Sequence, residues 1–145
     1  MSSTLQVALA QVGPSTSKAT ARSHTVLIDR PESKGGTDRG PLGGEMLLVG
    51  FGGCFMSNLL AAIRARNVAV SNVRMTIEGT MDGAPERFTR FTVRVSADHD
   101  DPALVHKLIG IAERACAVTN TLRQCATIEI LFEGERVTAT AETIA

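Results

Sequence analysis

The chain has 145 residues, 43% of them apolar, and its 15 Lys and Arg balance 15 Asp and Glu. That is enough material for a single domain with one core across residues 1–145, and it excludes the basic footprint of a protein that binds phosphate backbones. With no Trp or Tyr there is no aromatic platform for stacking bases either, so nucleic acid is not an expected partner.

Met1-Ser2-Ser3-Thr4-Leu5 carries no basic segment ahead of an apolar one, which predicts a cytoplasmic chain without a secretory signal. Leu5 to Val12 alternates loosely, Gly13-Pro14-Ser15 reads as a turn, and Lys18 to Asp29 reads as one or two strands. Arg30 to Gly44 then gathers two prolines and several glycines among charged residues, the composition of a loop. Gly43 to Arg66 follows as the longest apolar stretch. Its Leu47, Phe51, Cys54, Asn58, Ala61 and Ala65 recur at helical spacing, which predicts a helix with that face buried. Gly50, Gly52 and Gly53 each cost a helix interior roughly 1 kcal/mol relative to alanine. They are expected to serve close packing against another helix or a kink before Cys54. The stretch is about as long as a bilayer span, but its glycines, Glu45, Arg64 and Arg66 make it a poor hydrocarbon segment, so no membrane is expected.

Ala69 to Asp82 and Phe88 to Ala97 alternate on either side of Asp82-Gly83-Ala84-Pro85 and read as a hairpin. Asp101-Pro102 starts a second helix, with the carboxylate as cap and proline at the first helical position. Leu104, Val105, Leu108, Ile109, Ala112 and Ala115 form its stripe, ending near Cys116. A short turn or helical turn around Asn120 and a last strand from Thr127 to Phe132 complete an α+β order rather than a regular parallel alternation.

Cys54, Cys116 and Cys125 are an odd number without CxxC or Cys/His ligand spacing, which argues against a disulfide scaffold and a zinc site; no metal and no cofactor is expected. On an apolar helix face a cysteine is either a small core side chain or a nucleophile, and the face alone favours the first. Phe51, Phe55 and Met56 fit the core by spacing, or the lining of an apolar pocket. His24, His99 and His106 are joined by no ligand spacing. Glu45 is either a first-turn acid favoured by the helix dipole or part of a site. At about 100° per residue it falls opposite Cys54 on a straight helix.

Gly44-Glu45-Met46-Leu47-Leu48 running to Gly52-Gly53-Cys54-Phe55, preceded by Asp29-Arg30-Pro31 and Gly35-Gly36, resembles the first cysteine region of the OsmC/Ohr family of thiol peroxidases. Ala115-Cys116-Ala117-Val118-Thr119-Asn120-Thr121-Leu122 resembles the second, and the likeness covers roughly Ala21 to Phe132. The resemblance implies antiparallel sheets packed around two main helices in an intertwined homodimer, with two active sites at the interface. It implies Cys54 as the attacking and Cys116 as the resolving cysteine against organic hydroperoxides or hydrogen peroxide, with a dithiol, for instance a lipoyl-type one, as reductant. It further implies an arginine beside Cys54, held by Glu45. Arg22, on the N-terminal strand, is the first candidate and Arg30 and Arg39 are the others. Gly44 stands where the hydroperoxide branch has its acid, so the spacing is nearer the general OsmC-like branch, and Ala117 replaces a proline common in relatives. Cys125 matches no family position and is expected in the core, or else paired with Cys116. The alternative reading is a small-molecule-binding or stress-associated module with the same fold and little turnover.

Overall fold

Short runs of Ala, Thr, Val and Leu separated by tight turns build the first part of the chain. In the computed structural model, which describes residues 1–137, β1 (Ala8–Gln11), β2 (Ser17–Ala21) and β3 (His24–Ile28) form an antiparallel sheet in the order β1-β2-β3. β2 and β3 pair from Ser17↔Ile28 to Ala21↔His24, which leaves Arg22 and Ser23 as the loop between them. The described residues divide into two compact units, Met1–Leu47 and the residues from Leu48 onward.

The first unit is organised by a buried charge. Asp29 is 2% exposed. Its carboxylate accepts from the hydroxyls of Thr16 (2.8 Å) and Thr37 (2.6 Å) and from the backbone N–H groups of Arg30 (2.7 Å) and Arg39 (3.2 Å). Four donors in place of water make an ionised carboxylate tolerable away from solvent. The Thr37 hydroxyl, with the other donors, holds Asp29 well below the usual carboxylate range against the opposing effect of burial. The loop after β3, including a 3₁₀ turn at Glu32–Lys34, is wrapped on this group, and the Asp29 N–H in turn donates to the Pro41 carbonyl at 3.0 Å. At Gly40 a Cβ would collide with the Leu27 carbonyl oxygen, so only glycine passes there.

α1 (Gly43–Arg66) runs without interruption through its glycines. It is the helix among the described residues long and apolar enough, by length and composition, to cross a membrane. Within the second unit it instead packs Phe51, Phe55, Leu59, Ala62 and Ile63 into protein. The buried stripe differs from the expected one. Of the expected face only Phe51 is buried; Cys54 and Asn58 are half-buried, and Leu47, Ala61 and Ala65 are exposed. Turning the helix toward Phe55, Leu59 and Ile63 removes more apolar area from water than turning it toward alanines. Gly52 serves close packing, but against a strand rather than a helix: a Cβ there would stand 2.9 Å from Cγ1 of Ile77.

β4 (Ser71–Asp82) and β5 (Arg87–Asp98) form the expected hairpin, paired from Ser71↔Asp98 to Asp82↔Arg87. α2 (Pro102–Ala115) begins as the Asp101-Pro102 signal requires, with the Asp101 carboxylate accepting the N–H groups of Ala103 (3.1 Å) and Leu104 (3.3 Å). α3 (Ala117–Leu122), β6 (Thr127–Phe132) and β7 (Glu135–Arg136) follow, giving a second sheet in the order β4-β5-β6-β7. The expectation of wholly antiparallel sheets is corrected here: β5 and β6 are parallel, from Arg90↔Thr127 to Val95↔Phe132. The connection through α2 and α3 is long enough to return the chain to the end where β5 began, which a tight turn cannot do. The core joins Phe51, Phe55 and Leu59 of α1, Phe91, Val93 and Val95 of β5, Val105, Leu108, Ile109 and Ala112 of α2, and Ile128, Ile130 and Phe132 of β6. Phe51 meets Phe91 edge to face at 5.6 Å, and Phe88 stacks on Phe91 at 5.3 Å.

Because the carboxyl of Asp29 titrates lower in the folded chain than in the unfolded one, its contribution to stability is complete above about pH 4 and is lost progressively as pH falls from there toward the lower folded value. Thermal midpoints taken from about pH 6 down to about pH 2 should fall more steeply for the natural chain than for Asp29→Asn; equal slopes would remove Asp29 from this account. Urea unfolding should find Gly52→Ala destabilised by about 1–3 kcal/mol, since the added methyl meets Ile77. Gly110→Ala should be stabilised by up to about 1 kcal/mol, since its Cβ would meet only Nη1 of Arg114 at an ordinary 3.7 Å.

Candidate active site

Cys116 is the residue at which α2 stops and α3 starts. Its φ of −79° and ψ of 110° are extended, so the helix cannot continue through it. Its N–H still reaches back to the Glu113 carbonyl at 3.4 Å, and its carbonyl already accepts the Asn120 N–H at 3.0 Å. The side chain takes the place of a capping oxygen, with Sγ accepting the Thr119 N–H at 3.4 Å. The thiol is fully buried.

On α1 stands Cys54, half-buried and near enough for its thiol to interact electrostatically with that of Cys116. Asn58, one turn further along α1, donates Nδ2–H to the Cys54 carbonyl at 2.9 Å and stands 3.8 Å from its Sγ. Both thiols are free. Burial pushes the Cys116 thiol above its ordinary value, the adjacent Cys54 adds to the rise, and the Thr119 hydroxyl and N–H oppose it by favouring the thiolate. Cys116 is therefore a neutral thiol near pH 7 in a dry position, and Cys54 is the more accessible sulfur of the two.

The turn that carries Cys116 is braced from outside. Glu113, on the last turn of α2, pairs with Arg123, the C-cap of α3, at 2.7 Å between Oε2 and Nη2. The side chains are 9% and 16% exposed, so the pair lies largely out of water, where a hydrogen-bonded ion pair resists separation. The brace joins the helices on either side of Cys116.

Beside Cys54 in the chain, Met56 lines an open apolar groove of about 430 Å³ together with Leu48, Val49, Gly52, Met75 and Ile77. Phe51 and Phe55 are fully buried core residues. Glu45 and Arg22 belong to the first unit, and the two cysteines to the second. Glu45 caps its own helix: Oε1 accepts the Leu42 N–H at 2.8 Å, half of a capping box. Arg22 lies in the loop between β2 and β3 rather than on a strand, exposed and with φ at 55°. Cys125 was expected in the core and is exposed instead, in the turn before β6, where its thiol donates to the Leu122 carbonyl at 3.5 Å. Only Arg123 and Gln124 separate α3 from Cys125, too few to fold it inward. His99 and His106 pack on Phe132, and His24 is an exposed strand residue. Among the described residues no group of three or more His, Cys, Asp or Glu could hold a metal.

Sequence reasoning passed over Asn58, Thr119 and the Glu113–Arg123 pair. The first two had a local signal, since Asn58 follows Cys54 by one helical turn and Thr119 follows Cys116 at the spacing of a capped amide. The ion pair had none, because it exists only once α3 has folded back beside α2.

A family model described as "OsmC-like protein" matches residues 36–131. No curated protein matches the chain. Among solved structures, an OsmC-like protein from Mycoplasma pneumoniae superposes with a TM-score of 0.78 at 14% identity, covering 91% of this chain and 99% of that one. An organic hydroperoxide resistance protein from Legionella pneumophila superposes at 0.71 with 16% identity, covering 90% and 96%. One from Bacillus subtilis superposes at 0.65 with 16% identity, covering 89% and 97%. At these identities the likeness establishes the fold.

Removing the carboxylate from beside Arg123 by Glu113→Ala should destabilise the protein by about 3 kcal/mol, as measured by denaturant unfolding. A change within about 0.5 kcal/mol, the range of ordinary surface substitutions, would show that the brace is not needed.

Proposed function

This chain belongs to the OsmC-like protein family, and on that premise we propose that it is a thiol-dependent peroxidase that reduces organic hydroperoxides or hydrogen peroxide in oxidative-stress defence. The observation that carries the reading is that the half-buried Cys54 and the buried Cys116, far apart in sequence, lie near enough for their thiols to interact. The Cys54 thiolate attacks the distal peroxide oxygen; the O–O bond breaks, and the alcohol or water leaves with a proton. The resulting Cys54 sulfenic acid is attacked by Cys116, water leaves, and a Cys54–Cys116 disulfide forms. A small dithiol, of lipoyl type in our reading, restores both thiols. The apolar groove lined by Met56 and Ile77 suits the hydrocarbon part of an organic peroxide.

The attacking thiolate needs a cation, and we assign that task to Arg22, held by Glu45, with Arg30 and Arg39 as the other candidates. Arg22 stands exposed at a left-handed loop position, a sparsely populated conformation for a long side chain and of the kind that gathers at functional sites. We further propose a homodimer, because Val49, Leu60 and Met81 are 60%, 38% and 49% exposed and a second copy would cover such apolar surface. A reducing cytoplasm, in which disulfides are transient, is the compartment that suits the cycle. The second reading, a binding module with little turnover, is favoured by one observation: Glu45 is already engaged by the Leu42 N–H.

Reduced protein treated with an alkyl hydroperoxide should yield a Cys54–Cys116 bridge by peptide mass spectrometry. Cys54→Ser should lose peroxide consumption, and Cys116→Ser should accumulate a sulfenic acid on Cys54 that a dimedone probe labels. Untouched cysteines would favour the binding module. Arg22→Ala should slow bridge formation by about tenfold or more, the order expected for losing a charge-assisted contact to the reacting group; unchanged rates in Arg22→Ala, with loss in Arg30→Ala or Arg39→Ala, would move the assignment.

A further inference from the structure

We infer that the Thr119 hydroxyl is a catalytic donor in the reductive half of the cycle, receiving the charge that develops on Cys116 when a dithiol attacks Cys54. The inference rests on the disulfide reading above and extends it.

Two observations carry it. Thr119 is fully buried, and its hydroxyl has no hydrogen-bond partner, in a protein interior where such groups are almost always satisfied. The same residue donates its N–H to Cys116 Sγ at 3.4 Å. That N–H holds the residue against the sulfur, and the hydroxyl, which makes no hydrogen bond to the neutral thiol, favours the thiolate. A donor left idle against a neutral thiol and engaged by a thiolate is a contact that strengthens as the reaction proceeds, which is the kind that accelerates it.

The direction of reduction follows from accessibility. With both thiols free, Cys54 is half-buried and Cys116 sealed, so Cys54 is the sulfur an incoming thiolate reaches. A new bond forms between the reductant sulfur and Cys54 Sγ, the Cys54–Cys116 bond breaks, and its electron pair leaves on Cys116. The second thiol of the reductant then displaces Cys54, closing the reductant's own disulfide, and its two protons end on the two cysteines. A thiol that burial pushes up is a poor leaving group, and the two Thr119 donors offset that handicap.

The test starts from protein bridged with hydroperoxide, with the bridge verified by mass spectrometry. Brief exposure to 2-mercaptoethanol followed by acid quench should leave the adduct on Cys54. With dithiothreitol, Thr119→Val should be reduced at least about tenfold more slowly than the natural chain, and Thr119→Ser within about threefold of it. Because the valine replaces an unsatisfied hydroxyl, its thermal midpoint should be unchanged or higher, which a merely structural threonine would not allow. An adduct on Cys116, or a Thr119→Val bridge reduced as fast as the natural one, would overturn the inference and leave the peroxidase reading standing. Failure to form any bridge would remove that reading and this inference with it.

Discussion

The constraint that shapes the second unit is an apolar core of phenylalanines and branched side chains in which Cys116 is buried and against which Cys54 packs. A thiol buried beside another thiol gains little by itself, so the surroundings must hold it there. Cys116 is held by its backbone: one extended residue closes α2, opens α3 and supplies the sulfur that caps α3. Cys54 is held by α1, whose stripe from Phe51 to Ile63 is seated on β5 and α2 through apolar packing. The Glu113–Arg123 pair then ties the two ends of the bend together. Each constraint is local, and they meet on a single pair of sulfur atoms.

The first unit is stabilised in a different way. It buries little apolar surface and centres on a carboxylate surrounded by hydroxyl and amide donors. Such a group is costly to desolvate and is stable only when every lone pair is used, which makes it an exact register for the loop that supplies the donors. The glycine-rich stretch from Arg30 to Leu42 is therefore ordered without regular strands, and Gly40 allows it to run against the Leu27 carbonyl.

α1 combines these demands. Its composition is apolar nearly all round, yet only one side is packed, and Val49 and Leu60 remain open. Gly52 lets the helix approach Ile77 closely, and the residues flanking that contact border the apolar groove. In the reading developed above, one helix thus provides the nucleophile, a wall of the substrate groove and surface for a second copy.

The sequence by itself determined what depends on neighbours a few residues apart. The β4–β5 hairpin followed from alternation, the start of α2 from Asp101-Pro102, and the family from the motifs around Cys54 and Cys116. Tertiary structure alone decided the parallel pairing of β5 with β6, the stripe that α1 buries, the exposure of Cys125, the position of Arg22 in a loop, and the ion pair across the Cys116 bend. Periodicity and caps act over one or two turns of chain, whereas each of these outcomes is a choice among partners far apart along it. That choice is settled by which packing removes the most apolar area from water while leaving the fewest polar groups unpaired.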